Sequence, residues 1–314
     1  RRSPRRLIFD CKVLSLKEIT EFAKNSNIPY STDEPMSKHT TFKIGGNAKL
    51  MLFVESEEQV ASAVKECKKY NQRYIAVGNG SNLLVSDDGL DAVVIEMGKG
   101  FSDVRLIDDE TVYAESGAQL MKVCRFALEH GLSGLEFAYG IPGSCGGAAF
   151  MNAGAYGGEM KDVLYRCDHI DKNGDRGFLE GDDLKLSYRR SAYYDNGCIV
   201  TGLYMRLKKD NPEDIKARMD DYLSRRKAKQ PLEYPSAGST FKRPEGYFAG
   251  ALIEECNLKG ASVGGAQVST KHAGFVINTG GATCKDVLDL CKKVSDTVKA
   301  QKGVELEMEI RVTE

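Results

Sequence analysis

The chain has 314 residues, 41% of them hydrophobic and 28% charged, with 44 Lys+Arg against 45 Asp+Glu. That length fits two or three compact units of roughly 100–200 residues, and the apolar share is enough for real cores and excludes wholesale disorder. A formal net charge of −1 excludes a general nucleic-acid binder, and no stretch approaches the ~18–20 apolar residues of a membrane helix.

Arg1-Arg2-Ser3-Pro4-Arg5-Arg6 resembles a twin-arginine leader, but Leu7-Ile8-Phe9 is cut short by Asp10 and Lys12, below the ~7–15 apolar residues a leader needs. A flexible basic arm followed by a helix is expected over 1–35. Ser15-Leu16-Lys17-Glu18 reads as a capping box opening that helix, with Ile19, Phe22 and Ala23 at helical spacing. A strand follows at 48–54. Ser56-Glu57-Glu58-Gln59 caps a second helix whose inward face is Val60, Ala63, Val64 and Cys67. Strands are expected at 74–77, 92–96 and 111–115, and a helix at 118–130 with Leu120, Val123, Cys124 and Ala127 inward. Asn173-Gly174 marks a hairpin turn between strands at 165–171 and 176–180, and 198–207 reads as a long buried strand.

Asn211-Pro212-Glu213-Asp214 combines a cap residue, Pro in the first turn and acids against the dipole. A domain boundary is placed there, giving 36–210 (lobes of about 36–100 and 101–210) and 211–314. The second part should hold a helix near 247–256, a strand at 273–278, a helix from Thr283 to about Gln301 and a strand over 304–312. Helices and strands intermix without a repeat, so the class is α+β. Nine cysteines without a CxxC pair suggest neither a disulfide framework nor a metal site, and fit a reduced, cytoplasmic compartment.

The 32 glycines fall in informative places. Gly78-Asn79-Gly80-Ser81-Asn82 follows a strand, where glycines let backbone N–H groups approach a phosphate; a tight turn is the plainer reading. The segment 139–158 has seven glycines and four alanines, too costly in backbone entropy for a stable core element, which points to backbone lying against a ligand. Within it Gly143-Ser144-Cys145-Gly146-Gly147 fits a cysteine nucleophile elbow, although Pro142 before it and a glycine-rich loop after it are the wrong context. A Cys hydrolase is thus a competing reading, as is a non-catalytic nucleotide-binding module. A third cluster, Ser236-Ala237-Gly238-Ser239-Thr240-Phe241-Lys242, is a polar turn or a place for a positioned hydroxyl.

Taken in order, Gly78-x-Gly80-Ser81-Asn82-Leu83, Ile141-Pro142-Gly143, Asn152-x-Gly154-Ala155-Tyr156-Gly157, Tyr188-Arg189-x-Ser191, Gly238-Ser239-x-Phe241-Lys242 and Leu306-Glu307-x-Glu309-Ile310-Arg311 resemble the UDP-N-acetylenolpyruvoylglucosamine reductases, from about residue 36 to 312 and in their shorter subtype. The resemblance implies a two-lobed FAD-binding fold of the vanillyl-alcohol-oxidase type and a C-terminal α+β substrate domain. It implies non-covalent FAD, NADPH as reductant, and a UDP-sugar enolpyruvyl ether as substrate for cell-wall precursor synthesis. It carries no nucleic-acid or membrane partner, and a monomer or weak dimer is expected. Another flavin oxidase of that fold is the nearest alternative, and covalent attachment through Cys145 a further one.

By the same resemblance, Arg189 would clamp the substrate carboxylate, where its fixed fork suits a carboxylate better than Lys. Ser239 would protonate the carbon next to the carboxylate, and Glu309 would help polarise that carboxylate. Alternation along a strand would put Glu309 on one face with Glu307 and Arg311. Gly78, Asn79, Gly80, Ser81, Asn82, Leu83, Gly140, Ile141, Gly143, Ser144, Gly147, Ala148, Ala153, Gly154, Tyr188, Arg226 and Arg311 would hold FAD. Tyr156, Lys229, Gly238, Lys242 and His272 would face the substrate. Arg218 and Arg225, seven apart, share one helix face that reads as solvated. Arg243 stands where some relatives carry Asn.

Overall fold

A computed structural model describes residues 4–314, with side chains from Ser15 onward. The chain divides into two compact units, each assembled from three stretches. The first holds residues up to Glu34, Ala48–Asn79 and Asp91–Leu223; the second holds Pro35–Asn47, Gly80–Leu90 and Ser224–Glu314. The expected boundary was Asn211, whereas the units divide between Leu223 and Ser224, inside a helix.

In the first unit α1 (Pro4–Asn25) begins well before the expected cap. Ser15 lies inside this helix and donates to Gln72 Oε1 at 3.1 Å instead of capping an end. Of the expected basic arm, residues 1–3 lie outside the described residues, and the backbone from Pro4 is already helical. One sheet orders β1 (Tyr30–Pro35), β2 (Asn47–Val54), β5 (Leu90–Met97) and β3 (Tyr74–Val77), with β3 parallel to β5. Against it lies α2 (Glu57–Lys69), capped by Ser56, whose side chain accepts from the Gln59 N–H. Its Val60, Ala63, Val64 and Cys67 are buried together with Ile19 and Leu52, the face that the spacing predicts.

A second, antiparallel sheet orders β12 (Arg176–Glu180), β11 (Leu164–Ile170), β13 (Ile199–Arg206), β7 (Thr111–Glu115) and β6 (Val104–Leu106). Its inner residues Cys167, Leu203 and Ala114 face α3 (Leu120–Glu129) and α4 (Cys145–Met151) in one core. α4 corrects the expectation that 139–158 forms no core element. Small residues make it possible: a Cβ at Gly146 would stand 2.8 Å from Ser116 Cβ, so glycine lets the helix pack directly onto its neighbour. Short ribbons complete the unit: β8 (Leu132–Ser133) with β14 (Lys208–Lys209), and β9 (Gly154–Ala155) with β10 (Gly158–Glu159). The helix α6 (Pro212–Lys229) starts where its cap signature predicts, the Glu213 N–H donating to Asn211 Oδ1. Its Arg218 is not merely solvated, because it pairs with the buried Glu136 at 2.8 Å and with Asp210. Burial pushes the Glu136 carboxyl up, but Arg218 and the nearby amides outweigh it and hold the group below its ordinary value.

In the second unit α7 (Ala249–Glu255) and α8 (Cys284–Lys302) cover an antiparallel sheet of β15 (Ser262–Val263), β16 (Ala266–Val268) and β17 (Val276–Asn278). α8 opens on a capping box of Thr283 and Asp286, and Asp87 accepts two further N–H groups, from Cys284 and Lys285. Val287, Leu290, Val294 and Val298 are buried along its inner face, each worth about 1.5–3 kcal/mol. The strand expected over 304–312 is mostly absent: only β18 (Arg311–Thr313) is regular, pairing parallel with β4 (Leu83–Val85). Ahead of it the chain runs antiparallel beside 240–242 through a single bridge, Phe241 with Met308, in which the Lys242 N–H donates to Glu307 and the Glu309 N–H donates to Thr240. Alternation therefore does not place Glu309. Glu307 is exposed and paired with Lys242, while Glu309 is half-buried.

Candidate active site

In the first unit β3 runs into Gly78 and Asn79, which follow its last residue Val77 and meet the glycine-rich turn before α4. The Asn79 side-chain amide donates to the Pro142 carbonyl. A Cβ at Gly78 would fall 2.0 Å from Ser144 Oγ, so only glycine permits this approach. The turn is anchored from behind: the Leu120 N–H donates to Gly143 at 3.0 Å, Cys145 to Ala118 and Gly146 to Ser116, both at 2.8 Å. Ala148 is buried and Ala153 donates back to its carbonyl. Gly140, Ile141 and Gly143 are half-buried, Gly147 is exposed, and no acidic residue occurs over 139–148. An uncharged, side-chain-poor strip of backbone fits a flat ring and a diphosphate, so FAD suits these residues.

Cys145 cannot serve as a nucleophile. A helix does follow it, contrary to expectation, but the thiol is wholly buried and burial pushes it up to about 12, with Lys122 pulling only weakly the other way. The thiol exposes no surface to which a flavin ring could be joined.

Arg189 sits at the tip of a turn in which Ser187 and Arg190 exchange backbone bonds at 3.0 and 3.1 Å. Its φ of +56° is left-handed, a conformation costing a non-glycine residue about 1–2 kcal/mol, so its surroundings must over-determine it. Those surroundings are visible. Ser191 is buried and donates to the Phe150 carbonyl at 2.8 Å, and Asn152 donates to the Ser187 carbonyl at 3.0 Å. The guanidinium lies 5.0 Å from the Tyr188 ring, with Nη2 3.5 Å from the Gly154 carbonyl. Tyr156, also left-handed at φ +54°, stacks on Tyr222 with ring centres 4.8 Å apart and planes 2° from parallel.

In the second unit Gly80, Ser81, Asn82 and Leu83 carry the other half of the first glycine cluster. Gly80 has φ +58°, and a Cβ there would meet the His39 carbonyl at 2.0 Å. Asn82 donates to the Glu309 carbonyl at 3.1 Å and accepts from the Arg311 N–H at 3.0 Å. Ser239 is half-buried between Gly238, whose φ is +76°, and the fully buried Thr240. Thr240 donates to Gly274 and accepts from Glu309 through its backbone, both at 2.9 Å, while its Oγ1 accepts from Val276 at 2.8 Å. Ser239 and Glu309 thus stand on adjoining backbone, the first of them in a rigid frame. Lys242 is held by Glu307. His272 Nδ1 accepts from the Gly274 N–H at 3.1 Å, and burial, reinforced by Lys259 and Lys229, lowers this imidazole below its ordinary value. Arg226 is buried in α6 and Lys229 exposed at its end. Arg243 packs over the Phe248 ring at 4.6 Å.

Asn152 and Ser191, named in the motifs, and Thr240, at an unspecified motif position, are organising residues to which the sequence assigns no role. Of the three only Asn152 carries a signal, the tolerance of Asn for left-handed backbone.

Residues 48–176 match the FAD binding domain, and 230–313 match the UDP-N-acetylenolpyruvoylglucosamine reductase, C-terminal domain. The UDP-N-acetylenolpyruvoylglucosamine reductase of Syntrophomonas wolfei is 47% identical over 295 residues, 94% of this chain and 98% of that one. The chain belongs to that reductase family. The reductase of Clostridium perfringens is 49% identical over 298 residues, covering 94% and 96% of the two chains. The crystal structure of the Thermus caldophilus enzyme superimposes with a TM-score of 0.77 at 35% identity, covering 91% of this chain and 99% of that one. The protein is therefore a flavin-dependent oxidoreductase of the reductase family, with an FAD-binding domain and a reductase C-terminal domain in an α+β fold. Among the described residues no helix is long and apolar enough to cross a membrane, no group of His, Cys, Asp and Glu is arranged for a metal, and the eight cysteines are free thiols.

Proposed function

We propose that this chain reduces UDP-N-acetylenolpyruvoylglucosamine to UDP-N-acetylmuramate with NADPH as reductant, in the cytoplasm, as a monomer or weak dimer supplying peptidoglycan precursors. Non-covalent FAD, when bound, supplies the hydride chemistry between the nicotinamide and the enolpyruvyl double bond. By the family resemblance, Gly78, Asn79, Gly80, Ser81, Asn82, Leu83, Gly140, Ile141, Gly143, Ser144, Gly147, Ala148, Ala153, Gly154, Tyr188, Arg226 and Arg311 would hold it.

Hydride addition beside a carboxylate builds negative charge on the carboxyl side of the alkene. Arg189 binds that carboxylate, Glu309 shares a proton with it, and Ser239 Oγ delivers the proton that completes the reduction. Tyr156, Lys229, Gly238, Lys242 and His272 position the sugar nucleotide. The observation that supports this best is Ser239, a half-buried hydroxyl on backbone locked through Thr240, with Glu309 beside it. Anaerobic stopped-flow absorbance tests the reading. NADPH should bleach the flavin, and the enolpyruvyl sugar nucleotide should restore its colour with formation of the saturated lactyl ether. Colour restored only by oxygen would make the protein an oxidase and end the proposal.

A further inference from the structure

Two residues without the freedom of glycine lie in left-handed backbone within a few bonds of each other, Asn152 at φ +42° and Arg189 at φ +56°. For Asn this conformation is tolerated; for Arg it must be imposed. Asn152 is wholly buried where α4 ends, and its side chain reaches three partners. Nδ2 donates to the Ser187 carbonyl at 3.0 Å and to Glu159 Oε2 at 2.8 Å, and Oδ1 accepts from the Lys161 N–H at 2.9 Å. One end therefore grips the turn that carries Arg189. The other grips the segment after the β9–β10 ribbon, whose Gly154 carbonyl faces the Arg189 guanidinium. The amide itself is shut away from solvent, so its bonds all go to protein groups.

We propose that Asn152 is a positioning residue that sets the reach and angle of Arg189 toward the substrate carboxylate. The inference rests on the reading of Arg189 as that clamp. Only a carboxamide does this job: Asp matches the shape but cannot donate to Ser187 or Glu159, and Gly keeps the backbone conformation but holds neither segment.

The test compares parent, Asn152→Gly, Arg189→Ala and the double variant, each loaded with flavin. Calorimetry measures binding of the enolpyruvyl sugar nucleotide to the oxidised protein, and stopped-flow absorbance measures flavin reoxidation by it. Asn152→Gly should weaken binding and slow reoxidation by roughly 10–100-fold, the scale of a 1 Å misplacement. Added to Arg189→Ala it should cost little more, since both act through one group. If Arg189→Ala impairs both readouts while Asn152→Gly leaves them at the parental level, or multiplies fully with it, the role of Asn152 is overturned and the clamp stands. If Arg189→Ala itself changes nothing, the clamp fails and the positioning role falls with it. Should Asn152→Gly not fold, Asn152→Asp carries the same comparison.

Discussion

The Arg189 turn and the Ser239 segment hold their candidate groups in opposite ways. Around Arg189 the restraint comes from side chains: the buried Asn152 and Ser191 reach the Ser187 and Phe150 carbonyls and fix a turn whose own backbone is unfavourable. Around Ser239 it comes from the main chain, through the Thr240 N–H and carbonyl, with one hydroxyl in support. A long charged side chain needs its base steered from several directions, whereas a hydroxyl one carbon from the backbone is placed once its backbone is placed. Substitutions near Arg189 should therefore couple to one another, and those near Ser239 should act singly.

Ser239→Ala gives the largest effect and probes the backbone-framed side. Flavin reoxidation by the sugar nucleotide should slow by ~10²–10⁴-fold, the usual worth of general acid catalysis. Reduction by NADPH should stay near the parental rate, because it delivers no proton to the sugar. If stopped-flow traces show both halves slowing together, Ser239 organises the flavin and the contrast collapses. Arg189→Lys probes the other side. With a point charge in place of a planar fork, kcat/KM for the sugar nucleotide should fall by roughly 10–100-fold with flavin still bound, and an unchanged value would show that charge alone suffices. Thr240→Val sharpens the account of the serine frame. It strands the buried Val276 N–H, so urea denaturation should show a loss of about 1–3 kcal/mol; full stability would mean the backbone bonds hold the segment unaided. Smallest is Cys145→Ala, beneath the glycine-rich turn. Turnover and yellow colour should persist, at a stability cost of about 1 kcal/mol, while flavin remaining with the denatured parent chain would reinstate covalent attachment.

The elements that were legible in the sequence are those whose apolar spacing had one reading. α2 and α3 bury the four residues each that their periodicity names. α4 was illegible because its paired glycines argue against a helix, and only Ser116 packed against Gly146 shows why a bare helix is stable there. The 304–312 strand was over-read because alternation cannot reveal that its pairing with 240–242 stops after one bridge. At the candidate site, motif residues could be named from order along the chain. Their meetings could not: Asn79 with Pro142 and Asn82 with Glu309 span separations for which a single sequence carries no signal.

The parallel pairing of β4 with β18 has a consequence for synthesis. At roughly 5–20 residues per second, Leu83–Val85 leaves the ribosome on the order of ten seconds or more before its partner Arg311–Thr313 exists. Over that interval the stretch 80–90 has only Pro35–Asn47 of its own unit to pack on, through bonds such as the Thr41 N–H to Gly80 and the Gly46 N–H to Ser86. Leu84, wholly buried in the finished protein, then has Phe42 and Ile44 of its core but none of the C-terminal residues. The nascent chain thus carries a hydrophobic strand edge that a holding chaperone can recognise, and the interval lengthens wherever translation pauses downstream.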